Sequence, residues 1–117
     1  MRIFTDEGPV GVYVPPRSRA TVIMPAAIAL AHFLIRKPAL ERERHYQTMR
    51  RITKHVGEAG IGALDIALWD LVGKITGQSI SQMFGGHYRK LPSYASTIPG
   101  DEHPKGLSSP EAYADFA

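Results

Sequence analysis

The apolar positions between Gly60 and Gly86 form the densest pattern in the chain. Ile61, Leu64, Leu68, Leu71 and Ile75 follow the alternating three- and four-residue spacing of one helical face, and Ala63, Ala67, Ile66, Trp69 and Val72 fill its flanks. The spacing predicts a helix over Gly60 to Thr76, apolar around its circumference, with no stripe left for solvent. It is stopped by Gly77, a favourable residue just past a helix end. Ser79 then caps a short helix over Ile80 to Phe84, closed by Gly85 and Gly86. So apolar a helix asks for more cover than its neighbours supply, and the chain is expected to be a piece of something larger.

The preceding segments are less apolar. Arg2 to Thr5 and Val10 to Val14 alternate like strands, and Asp6-Glu7-Gly8-Pro9 between them has hairpin length. Two strands alone are marginal in water and need a helix or another strand against one face. Pro15-Pro16 ends the second strand, and Arg17-Ser18-Arg19 is expected as a loop. From Met24 to Arg36 a helix would carry Ala27, Ile28, Ala31, Leu34 and Ile35 on one broad face, with Pro25 in its first turn, where a missing N–H is harmless. Lys37-Pro38 breaks that pattern. A third element begins at Pro38, with Glu41 and Glu43 early and Arg50, Arg51 and Lys54 late, an order that suits the helix dipole. Its apolar positions, Leu40, Tyr46, Met49 and Ile52, are enough for one narrow buried stripe.

Beyond Lys90, Leu91 to Thr97 reads as a strand, Ile98 to Ser108 as a loop rich in Pro, Gly and charge, and Ser109-Pro110 as the cap and first position of a last helix. That helix has only two turns before Ala117, too few to stand alone, and is expected to continue in a longer protein.

The 117 residues fit one domain, and the 44% hydrophobic content allows a modest core. With no cysteine, the chain has no disulfide, thiolate nucleophile or Cys-ligated zinc. Met1 to Gly8 has neither a basic leader nor an apolar signal core, and a cytoplasmic location is expected. The longest apolar run, Val22 to Ile35, is broken by Pro25 and His32 and falls short of the roughly 20 residues a membrane span needs. No membrane association is expected.

The formal charge of +3 is concentrated in Arg36, Lys37, Arg42, Arg44, Arg50, Arg51 and Lys54. Glu41 and Glu43 are interspersed and only Tyr46 could stack on a base, so a solvated helix face is favoured over a nucleic-acid surface. The histidines at 32, 45, 55, 87 and 103 include no pair at the i, i+3 or i+4 spacing of a helical metal site, and no metal ligand is assigned. His87 and His103, in loops, are the least improbable candidates.

Ala63-Leu64-Asp65-Ile66-Ala67-Leu68-Trp69-Asp70-Leu71, with Gly73-Lys74, Gly77, Gly85-Gly86 and Tyr94-Ala95-Ser96, resembles the signature of the mandelate racemase and muconate lactonizing enzyme group of the enolase superfamily. Thr5-Asp6-Glu7-Gly8 followed by Gly11 is similar, more weakly, to that group's N-terminal hairpin. The resemblance implies an α+β fold: residues 1–90 as a capping domain, a short antiparallel sheet on a helical bundle with its first strand missing, and residues 91–117 as the first βα unit of a truncated (β/α)7β barrel. One departure is that Gly11 is followed by Val12-Tyr13-Val14, where the group often has Trp-Gly-Glu.

The chemistry implied is abstraction of a proton α to a carboxylate by a Lys or His base, with Mg²⁺ holding the enediolate. The barrel strands that carry those groups lie outside this chain. No catalytic residue is assigned here, no cofactor is expected to bind, and Mg²⁺ belongs to the complete parent enzyme. Asp70 and Lys74 are read as a helical ion pair worth about 0.3 to 0.5 kcal/mol, and Asp65 as scaffold.

Four residues are carried as substrate-binding candidates. Arg17 and Arg19, in the loop resembling one that closes over substrate, could pair with a carboxylate or simply be solvated. Ser96 and Thr97, at the end of the first barrel strand, could contact substrate or bond to backbone. The expected partners are the missing barrel or a second copy, and a small carboxylate substrate in the complete enzyme only. The leading function is an inactive N-terminal part of an acid-sugar dehydratase, racemase or cycloisomerase. The alternative is a non-catalytic capping or interaction module.

Overall fold

Arg2–Phe4 (β1) and Val10–Val12 (β2) pair antiparallel, with Arg2 opposite Val12, Ile3 opposite Gly11 and Phe4 opposite Val10. This is the expected hairpin, with shorter strands. In the computed structural model residues 1–55, 57–87, 90, 92–93, 107 and 109–116 are described. Most of the strand expected over Leu91 to Thr97 and of the loop after it therefore lies outside the described residues. Contacts divide the chain into two units, Met1–His87 and Tyr88–Ala117.

In the first unit a 3₁₀ turn, Arg17–Arg19, stands where a loop was expected, and it leads directly into helix α1, Ala20–Ala31. Arg19 N donates to Pro16 O at 3.0 Å, so the chain is already wound when it reaches Ala20 and the helix starts a turn earlier than Met24. Pro25 consequently falls inside the helix rather than in its first turn. The carbonyl it leaves unserved, four residues earlier, is that of the exposed Thr21, where water can reach it.

The helix also stops early. A second 3₁₀ turn, His32–Leu34, is followed by extended Ile35 and by Arg36 at a φ of 58°. Lys37 N closes this turn on Leu34 O at 3.2 Å. The broad face predicted for the segment is therefore split: Ala27 is buried, whereas Ile28 and Ile35 are about two-thirds exposed, and Leu30, outside that face, is buried instead.

Helix α2, Arg42–Ile52, begins four residues after Pro38, because a single turn from Pro38 to Glu41 comes first. Its buried positions are His45 and Met49, with Tyr46 half-buried; Leu40 and Ile52, assigned to its apolar stripe, are exposed. Helix α3, Ala59–Thr76, ends at Gly77 as expected. It buries Ile61, Ala63, Leu64, Ala67, Leu68 and Leu71, but Ile66 is 51% exposed. The helix is thus covered over one broad face and open on the other, contrary to burial around its whole circumference. The reason is that α1 covers the face at Gly60 while the hairpin and α2 cover its two flanks, at Asp70 and at Asp65, which leaves the strip of Gly62 and Ile66 outside.

Ser79 caps α4, Ile80–Met83, in a reciprocal box: Gln82 N donates to Ser79 Oγ at 3.1 Å and Ser79 N to Gln82 Oε1 at 2.8 Å. In the second unit Ser79's role is repeated by Ser109, whose Oγ accepts from Ala112 N at 3.2 Å at the start of α5, Pro110–Phe116.

Two glycines set the distances between layers. A Cβ on Gly60 would come within 2.5 Å of the Ala26 carbonyl carbon and 2.7 Å of Ala27 N, so α1 and α3 touch backbone to backbone. A Cβ on Gly11 would overlap the Ala67 carbonyl and lie 2.9 Å from Leu71 Cβ, so β2 lies equally close on another side. The core between α1, α2 and α3 is then filled by Ala27, Leu30, Met49, Ile61, Ala63 and Leu64, with Ile3 and Tyr13 of the hairpin against it.

Gly60→Ala is expected to destabilise the chain by about 2 to 3 kcal/mol although alanine favours helix, because neither backbone can yield. Gly62→Ala, on the same helix with open space around it, is expected to stabilise by up to about 1 kcal/mol. Urea denaturation of both variants checks this, and effects of the same sign would contradict the close approach.

Candidate functional site

The hairpin is attached to α3 by a pair of charged side chains. Met1 and Tyr13 exchange both backbone hydrogen bonds, at 2.8 and 3.1 Å. Because such pairs alternate along an antiparallel ladder, Val12 N–H and Val10 C=O face away from β1. Val12 N donates to Asp70 Oδ2 at 2.8 Å, and Lys74 Nζ donates both to Val10 O at 2.8 Å and to Asp70 Oδ2 at 2.6 Å. The Asp70–Lys74 pair read from the sequence is present, and it also closes the outer edge of β2. The hydrogen bond from Lys74 holds the Asp70 carboxyl below its ordinary pKa; partial burial opposes the shift and the Val12 N–H reinforces it.

On the other flank of α3, Arg42 from the first turn of α2 donates to Asp65 Oδ1 at 2.8 Å, and its guanidinium carbon lies 3.9 Å from the centre of the Trp69 ring. Trp69 in turn contacts Phe84, ring centroids 4.6 Å apart. Spacing along α3 places Asp65 and Trp69 four apart on one face, but nothing local in the sequence selects Arg42 among the basic residues of α2. Arg42 thus leaves the solvated basic face to which it was assigned.

Arg17 and Arg19 both sit on the 3₁₀ turn between β2 and α1, exposed and without an ion pair among the described residues. Two residues apart at three per turn, they leave the backbone about 120° from each other, so they do not form a ready-made pair. Ser96 and Thr97 lie outside the described residues.

Among the described residues no three His, Asp or Glu side chains gather to hold a metal ion. Asp65 and Asp70 are bonded to Arg42 and Lys74, Glu41 to Arg44 and Glu58 to Arg50, so these carboxylates do not fit a Mg²⁺ centre. The buried His45 is also occupied, with Nε2 2.8 Å from Pro38 O. No helix among the described residues is long and apolar enough to cross a membrane.

A hollow of about 1030 Å³ lies along the outer side of β1, between that strand and the Leu34 to Leu40 segment. Leu64, Leu68, Leu71 and Ile75 of α3 contribute to its lining, together with Arg36 and Lys37. Asp6, Glu7 and His45 line it as well, His45 with its Nε2 already 2.8 Å from Pro38 O.

Residues 1–85 match the family described as mandelate racemase / muconate lactonizing enzyme, N-terminal domain. A protein described as an L-rhamnonate dehydratase from Caldivirga maquilingensis is 32% identical over 83 residues, which cover 67% of this chain and 21% of that protein. The D-galactarolactone cycloisomerase of Agrobacterium fabrum is 31% identical over 98 residues, 77% of this chain and 25% of the relative. The chain therefore spans a fifth to a quarter of the length of these relatives. No solved structure matches it significantly.

The lowered Asp70 pKa fixes the sign of a pH effect. Between the folded value and the ordinary 3.8 the unfolded chain binds more protons, so the carboxylate's contribution is complete above the ordinary value and disappears as pH falls through the folded one. Wild type is expected to exceed Asp70→Asn by about 1 kcal/mol at neutral pH, given the pair's exposure, and the margin should vanish in acid. Parallel thermal melts of both proteins across that range check it, and a margin that survives below the folded pKa would contradict the clamp.

Proposed function

Because the chain belongs to the mandelate racemase / muconate lactonizing enzyme family through its N-terminal domain, we propose that it is the capping region of a Mg²⁺-dependent acid-sugar dehydratase, racemase or cycloisomerase and is inactive by itself. The single observation that carries this reading is the match over residues 1–85, joined by relatives whose names specify a sugar-acid dehydratase and a sugar-lactone cycloisomerase. Such enzymes take a proton from the carbon next to a carboxylate, a step that needs a base and a metal-stabilised enediolate. The described residues supply neither, so the base and metal ligands would come from chain beyond this region. What this chain would supply is enclosure and charge. Arg17 and Arg19, on the turn that leaves the hairpin, are suited to a substrate carboxylate, and Ser96 and Thr97 to its hydroxyl groups. Ile66, half-exposed on α3, and Phe84, exposed beside Trp69, provide apolar surface of the kind a cap buries against the remainder of an enzyme.

The purified 117-residue chain with Mg²⁺ is expected to release no product from L-rhamnonate, D-galactarolactone or other sugar acids and lactones; turnover would overturn the inactive reading. The converse test is a chimera of the Caldivirga protein in which residues 1–85 replace the matching region. Dehydration of L-rhamnonate by the chimera supports a capping role. In it, Arg17→Ala or Arg19→Ala should raise KM about tenfold with little change in melting temperature if the arginine meets the carboxylate.

A further inference from the structure

Arg17 and Arg19 belong to a short stretch of chain that is fastened at both ends to one helix. On the side of β2, Val12 N donates to Asp70 Oδ2 and Lys74 Nζ donates to Val10 O, each at 2.8 Å. On the side of α1, the backbone at Ala26 and Ala27 lies so close to Gly60 that a Cβ there would overlap it. Both anchors are on α3, at Gly60 and Asp70, ten residues apart. That separation is about 15 Å along the helix axis.

The chain strung between them is stiff. Only four residues separate Val12 from Arg17, and Tyr13 among them packs against the core. Pro15 and Pro16 have φ fixed by their rings, and Pro16 is extended, at φ −56° and ψ 135°. Arg19 N and Ala20 N then donate to Pro16 O and Arg17 O, so the 3₁₀ turn runs into α1 without a break. Neither arginine has an ion pair among the described residues, and the backbone of the turn therefore sets the direction from which each guanidinium reaches outward.

We propose that Asp70, seconded by Lys74, is a positioning residue for this turn: by holding β2 on α3 it fixes where Arg17 and Arg19 meet a substrate carboxylate. The assignment rests on the capping role given above. Without the Asp70 carboxylate, Val12 N–H loses its acceptor and Lys74 its counter-ion, and the β2 end of the stretch is released while the α1 end stays held. A guanidinium grips a carboxylate through two parallel hydrogen bonds, a geometry that tolerates little displacement. Loosening the turn therefore weakens substrate binding more than a proton transfer carried out elsewhere.

Amide exchange followed by NMR on the 117-residue chain tests the mechanical step. Asp70→Ala is expected to speed exchange of the Arg19 and Ala20 N–H groups about tenfold relative to Ala67 N–H, in the buried middle of α3, whose exchange reports overall unfolding. Lys74→Met, which frees Val10 C=O, is expected to act in the same direction and more weakly, and it decides the matter if Asp70→Ala fails to fold. Equal acceleration at all these amides, or none at the turn, overturns the proposal. In the chimera with the Caldivirga protein, Asp70→Ala is expected to raise KM for L-rhamnonate about fivefold with a smaller change in kcat, and to raise it no further when Arg17 and Arg19 are both alanine. An unchanged KM, or an equal rise with and without the arginines, overturns the proposal. A chimera inactive with residues 1–85 unaltered overturns the capping role instead, and the exchange comparison then decides whether Asp70 orders the turn.

Discussion

Helix α3 is gripped by backbone on two sides, and the rest of the first unit is arranged around that constraint. At Gly60 the helix meets the backbone of α1, and at Gly11 the second strand meets the backbone of α3. Close approaches of this kind fix distances more firmly than side-chain packing, because neither partner has a rotamer with which to adjust. With α1 and β2 held so close, Leu64 and its neighbours have no freedom to face elsewhere. They pack into the space between α1, α2 and the hairpin, which leaves Ile66 outside.

Polar contacts then set the orientation that packing alone would leave open. The Asp70–Lys74 pair would be worth little as an exposed helical ion pair. Here it also satisfies one donor and one acceptor of β2, so a short strand is tied to the helix by two hydrogen bonds. Arg42 does the same between α2 and α3, bonded to Asp65 and stacked on Trp69. Both contacts draw on the family signature, whose charged residues thereby hold a scaffold together. This fits a capping role, in which the region's task is to keep its loops and apolar surface correctly placed.

The sequence was sufficient for the order and type of elements in the first unit. Hairpin, three helices and the Ser79-capped turn were legible because each depends on local periodicity or on capping chemistry within a few residues. Misreadings arose where the deciding contact is distant or the local rule is overridden. Pro25 was expected in a first turn, but the 3₁₀ turn ahead of Ala20 moved the start of the helix. Ile28, Ile35, Leu40 and Ile52 were counted as core because they are apolar, yet among the described residues they are exposed. Of the substrate-binding candidates, Arg17 and Arg19 fall on one short turn, and Ser96 and Thr97 lie outside the described residues.

By itself, then, the sequence determined the helical and strand segments, the family through the Ala63 to Leu71 signature, and the pairing of Asp70 with Lys74, since all of these are encoded in short-range spacing. Only the tertiary structure decided which face of α3 is covered, which arginine of α2 reaches Asp65 and Trp69, and how the outer edge of β2 is closed. Those outcomes depend on residues as far apart as Val12 and Asp70, or Arg42 and Asp65, whose proximity is set by how closely two glycines let the backbones meet.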